Sequence, residues 1–129
     1  MAGLFAIAIF TSATLLFVVQ PMAGRILLPV LGGSPGVWST CLVFFQAVLL
    51  LGYLYAHVLS TRAGRPWQRP IHVAILAFAS LWLPIRIAIG EPAGAEPEWW
   101  TLATLARTVG LPFFALSATA PLLQQWFSD

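Results

Sequence analysis

Polar and apolar positions alternate on a coarse scale along this chain: long stretches with almost no charge are set apart by short runs of Gly, Pro and charged residues. Residues 2–19 contain no charge at all. Eighteen helical residues reach roughly 27 Å, close to the hydrocarbon thickness of a bilayer. Apolar character resumes after Arg25, so the pattern predicts a helix over about 2–31, kinked at Pro21. The run G-G-S-P-G at 32–36 then predicts a tight turn, with Ser34 as N-cap and Pro35 in the first helical position of the next element. That second helix is expected over about 35–59, antiparallel to the first, and Gly52 and Ala56 give it a small face suited to close helix packing.

Residues 60–70, S-T-R-A-G-R-P-W-Q-R-P, break the pattern and read as a charged loop carrying Arg62, Arg65 and Arg69. A third apolar segment follows over about 71–89, kinked near Pro84, with Arg86 reaching for its outer edge. The stretch 90–100 holds Glu91, Glu96 and Glu98 and closes on the aromatic pair Trp99-Trp100, an interfacial anchor. The last segment covers about 101–127, broken at Pro112 and Pro121. The expected fold is all-α: one transmembrane region, 1–129, of four spanning helices. Residues 1–13 lack the basic start of a signal peptide, so the first helix reads as retained.

Composition agrees. Hydrophobic residues make up 60% and charged residues 8% of 129, and the mean hydropathy is +0.89. Soluble domains carry about 25% charged residues, so lipid is the solvent this chain requires. The formal charge of +2 rests on six Arg, against four acids. That describes membrane-edge guanidinium groups, not a nucleic-acid face. The positive-inside rule assigns the three Arg of 60–70 to the cytoplasm, which places both termini there and the turns at 32–36 and 90–100 outside.

Candidate chemistry is sparse. The sequence contains no G-x-G-x-x-G, P-loop or H-E-x-x-H pattern. The lone Cys41 excludes an internal disulfide and a multi-cysteine metal site. His57 and His72 flank the Arg run without a nearby carboxylate and read as interfacial; no metal or cofactor is expected. All four acids fall in turns or at Asp129, which argues against a cation path through the membrane. The polar residues inside the apolar segments are Gln20, Arg25, Gln46, Arg107 and Gln124. Helix-to-helix bonding and snorkelling account for each of them; the alternative is a ligand cavity lined by Gln20, Arg25, Gln46 and Gln124.

Several motifs together carry a resemblance. Q-P at 20–21, G-G-S-P-G-V-W at 32–38 within the longer run 17–57, and S-A-T-A-P-L-L-Q-Q-W-F at 117–127 resemble the amino-terminal membrane part of bacterial spermidine-synthase-like proteins. These are fusions of a major-facilitator-like membrane region to a synthase-like domain. The resemblance implies a major-facilitator-like partial bundle in the inner membrane, multi-pass, whose partners are further transmembrane helices or a synthase-like domain. T-R-A-G-R-P at 61–66 is similar to the D-R-x-G-R-R loop of major facilitators, with Thr61 and Pro66 in place of the acid and the last Arg. The synthase's nucleoside-binding loop and catalytic aspartates have no counterpart, so the resemblance implies a non-catalytic module that anchors or assembles that domain. The other expectation is a part of a small-solute transporter, for a polyamine-related or anionic metabolite.

Overall fold

Helices make up the structure, a computed structural model that describes residues 2–30, 33–86 and 96–128; no strand occurs among them. In order they are α1 (Ala2–Leu27), α2 (Pro35–Arg62), α3 (Arg65–Ser80), α4 (Pro97–Leu105), a π-helical turn (Ala106–Gly110) and α5 (Leu111–Ser128). The choice of helix follows from the solvent. In hydrocarbon each backbone N–H and C=O needs a partner within its own segment. The hydroxyls obey the same rule by turning back onto their own helix: Thr14 donates to the Phe10 carbonyl (2.8 Å), Thr40 to Gly36 (2.9 Å) and Thr108 to Thr104 (2.7 Å).

Among the described residues, three helices are long and apolar enough to cross a membrane: α1, α2, and the continuous run Pro97–Ser128 of 32 residues. The third predicted span differs. It starts at Arg65 instead of residue 71 and ends at Ser80 instead of 89; its 16 residues reach roughly 24 Å. The early start follows from Pro66, which suits a first helical turn, so only Ala63 and Gly64 separate α2 from α3. The early end follows from Pro84, which cannot continue the helix and disfavours helical backbone at Leu83; the Leu83–Pro84 peptide is cis. Residues 87–89 and Glu91 lie outside the described residues, as do Leu31, Gly32 and Asp129.

At the other boundaries, α1 stops at Leu27 because Leu28 to Val30 form a turn closed by Gly33, whose N–H donates to the Leu28 carbonyl (2.8 Å) at φ +64°. Ser34 then caps α2, its Oγ accepting from Val37 N–H (3.4 Å), with Pro35 opening the helix as the sequence predicts. α2 runs on to Arg62, past residue 59.

Neither proline breaks the last run. Pro121 lies inside α5, and the π-turn sits directly ahead of Pro112. In π register the Arg107 carbonyl would be served by residue 112, and proline has no N–H to offer. That carbonyl accepts instead from the Trp82 indole N–H (3.0 Å). The turn also corrects the phase of the helix. Thr101, Leu105, Val109 and Phe113 are all buried. In an unbroken α-helix twelve residues would carry Phe113 about 120° away from Thr101; one surplus residue reduces this to about 20°. A single face of the run therefore stays inward along its length.

α5 is the hub, packed on α1, α2 and α3. One cluster joins Leu27, Cys41, Phe45, Leu105, Val109 and Phe113; a second joins Ala56, Leu59, Ala118 and Leu122. The small face predicted on α2 is where α5 comes closest. A Cβ added at Gly52 would fall on the Ser117 hydroxyl and stand 3.2 Å from the Ala118 nitrogen. Gly24 of α1 likewise faces Trp38, whose ring would be 2.9 Å from an added Cβ.

Contacts at the two ends fix an up-and-down order. The Phe5 and Phe127 rings meet at 5.4 Å, so the start of α1 and the end of α5 share an end with the α2–α3 junction, where Trp126 meets Gln68. At the opposite end the Glu98 carboxylate, in the first turn of α4, lies 3.0 Å from where a Gly36 Cβ would stand.

Candidate functional site

The best-developed polar constellation lies at the α2–α3 junction, between α2, α3 and α5. Its centre is Gln68, 5% exposed. The last carbonyls of a helix have no intrahelical donor. Gln68 supplies one to α2, donating from Nε2 to the carbonyls of Ser60 (3.2 Å) and Ala63 (3.0 Å). Its Oε1 in turn accepts from the Trp126 indole N–H (3.0 Å), so one amide ties three helices together. The Arg69 guanidinium stands over the same indole, 5.8 Å from the ring centroid.

One turn further in, His72 is 2% exposed and its Nε2 lies 3.1 Å from Thr119 Oγ1. The tautomer follows from the neighbour. The Thr119 hydroxyl spends its proton on the Ala115 carbonyl (2.8 Å), so it accepts from His72 Nε2–H. His72 Nδ1 is then an acceptor, and it is buried without a partner; the Tyr55 hydroxyl is the other buried polar group in that condition among the described residues. The Tyr55 and His72 rings stack at 6.0 Å, and Trp126 meets His72 edge-on at 6.1 Å. The arrangement offers one donor and one acceptor inside an aromatic setting, which suits a neutral hydrogen-bonding group rather than an ion.

Replacing Thr119 by valine keeps the volume and removes the acceptor. The expected cost is about 1–2 kcal/mol, because a buried imidazole N–H loses its partner and membrane hydrogen bonds between helices are modest. Unfolding of the purified chain in detergent measures it. Stability equal to the unsubstituted chain would show that His72 has another partner.

The residues predicted to line a cavity are placed apart. Arg25 is exposed in the last turn of α1 and lines an open groove with Phe10, Thr14, Phe17 and Pro21. Gln20 is half-buried on α1, Gln46 exposed on α2 and Gln124 exposed on α5; none of these three lines a described groove. Arg62 closes α2, Arg65 opens α3 and Arg69 lies within α3, so the predicted charged loop is almost wholly helical. His57 is exposed, whereas His72 is inside the bundle and not at its rim as the sequence suggests. Among the described residues, no three of His, Cys, Asp and Glu converge as a metal site would require. Cys41 is a free, buried thiol in the core.

Sequence reasoning does not group Gln68, Tyr55, Thr119 and Trp126. Their partners are 47 and 58 residues apart, and only the burial of a Gln among Arg residues could have signalled them. The sequence reading also takes G-x-S-x-G to be absent, whereas those letters occur at 32–36; that hydrolase pattern needs a preceding strand. A helix and a turn precede Ser34, and its Oγ is engaged as a cap.

No family model, curated protein or solved structure matches this chain.

Proposed function

We propose that this chain is a multi-pass module of a bacterial inner membrane, part of a major-facilitator-like bundle, whose role is to anchor or assemble a spermidine-synthase-like domain. The supporting observation is how the molecule spends its polar groups. Gln68, His72, Thr119 and Trp126 serve contacts between helices, while Leu4, Ile7, Phe10 and Phe17 of α1 and Leu50, Leu51 and Leu54 of α2 face outward. Such a surface suits lipid or further helices. In this reading α3 is the fourth crossing, and Arg62, Arg65 and Arg69 keep the α2–α3 junction and both termini in the cytoplasm.

Two measurements test it. With Cys41→Ser as background, a cysteine at Ser128 should resist a membrane-impermeant maleimide in intact spheroplasts and react after permeabilisation; one at Pro35 should react in both. The reverse pattern overturns the orientation. Co-expressed with a soluble synthase-like domain, the chain should carry that domain into the membrane fraction. Failure to do so, or aminopropyl transfer by the purified chain alone, overturns the anchoring role. The transporter reading predicts solute uptake by vesicles containing the chain that is lost in Arg25→Leu and Gln46→Leu; the anchoring reading predicts none.

A further inference from the structure

The inward side of α2 carries Val37, Cys41, Phe45, Gly52, Ala56 and Leu59, all buried. Its outward side carries a stripe of exposed residues, Ser39, Val43, Gln46, Leu50, Tyr53 and His57. At about 100° per residue the centre of that stripe lies roughly 160° around the helix from the centre of the buried side. Steps of four and three alternate along it, the heptad spacing of a seam between two helices that cross at a small angle. The stripe also collects every exposed polar residue of α2 between Ser39 and His57. Those two ends stand roughly 27 Å apart along the axis, about the hydrocarbon thickness, so Gln46 falls inside it. Among the described residues none offers the Gln46 amide a hydrogen bond. Acyl chains hold no donor or acceptor, and a glutamine at that depth is too short to reach the headgroups. A bare amide is costly in such a solvent.

We propose that the Ser39–His57 stripe is a dimerisation seam, on which the Gln46 amide bonds to its counterpart in a second copy of this chain. The chemistry selects the second copy. An amide both donates and accepts, so one residue serves both sides of a two-fold contact. Copies inserted in the same direction hold Gln46 at the same depth. A two-fold axis along the membrane normal then sets the two amides opposite each other, with Ser39 and Tyr53 meeting their own counterparts one heptad to either side. No Arg, Asp or Glu lies on the stripe, so the pairing brings no like charges together. The open groove of α1 differs in this respect, because it ends on Arg25, which a second copy would meet with the same charge. The inference rests on the membrane location of the chain and is independent of the anchoring role.

The test follows the full chain, purified in a neutral detergent, by sedimentation equilibrium over a range of chain-to-detergent ratios. A monomer–dimer equilibrium is expected. Gln46→Leu should weaken it about tenfold and Gln46→Asn, which keeps the amide, less than threefold. Gln46 is exposed in the single chain, so either replacement spares the core. Oxidation in membranes locates the contact: in a Cys41→Ser background, Val43→Cys should form a disulfide-linked dimer, whereas Leu51→Cys, exposed but off the stripe, should not. A chain that stays monomeric at every ratio overturns the proposal and assigns the stripe to a different helix. Dimers as strong in Gln46→Leu as in the parent, Gln46→Asn as weak as Gln46→Leu, or cross-linking at position 51 in place of 43 overturn it equally. None of these results touches the recruitment of a synthase-like domain to the membrane, so the seam and the anchoring role can fail separately.

Discussion

Gly52→Val is expected to drive α2 off α5 and to destabilise the bundle by about 3 kcal/mol, the upper range for overpacking a close contact. Even the first carbon of a side chain has no room, since it would fall on the Ser117 hydroxyl and stand 2.9 Å from the Ser117 Cβ. The Ala118 backbone nitrogen, 3.2 Å away, cannot swing aside as a side chain could. In a bilayer this contact matters more than an equivalent one in water, because helices already in lipid gain nothing further from hydrophobic transfer and associate through close packing. Detergent unfolding of the purified chain measures the loss. Gly52→Ala should cost less, about 1–2 kcal/mol, and Ser117→Gly should restore most of it. If Gly52→Val were as stable as the parent, the close approach of α2 and α5 would be wrong.

Phe113→Ala is expected to cost about 2–3 kcal/mol. Phe113 is 1% exposed, and its ring meets Phe45 at 4.8 Å in the centre of the larger cluster. The transfer part of a large-to-small substitution largely drops out when the separated helices remain in lipid. What remains is the cost of the cavity, whose walls forfeit the dispersion attraction of the ring. Phe10→Ala gives the contrast: the same atoms are removed from a side chain 73% exposed on α1, and stability should change by less than about 0.5 kcal/mol. Equal effects at the two positions would show that the Phe45–Phe113 core is not formed.

What the residues disclose in advance is uneven for a physical reason. The Ser34-Pro35 start depends on local chemistry and is found where the sequence places it, and three of the four expected spans are long and apolar enough to cross a membrane. The Gly52/Ala56 face is also readable, because only small residues permit close backbones. Which side of α1 faces inward is not: lipid and core are equally apolar, so periodicity carries little signal there. The start of α3 is misjudged because three arginines in ten residues suggest a loop, although the Pro66 signal for a helix is present. The polar clamp is hidden by distance along the chain. Gln68 and Trp126 meet only after α5 has packed on α3, and no local rule pairs them.

The meeting of Phe5 and Phe127 has a consequence for anything carried beyond either helix end. A domain tethered by a short flexible linker at that point experiences the surface at that end of the bundle at a millimolar effective concentration. An affinity of similar strength, far too weak to survive dilution of the separated parts, then suffices to keep it docked much of the time. Lengthening the linker, with every contact unchanged, would release it.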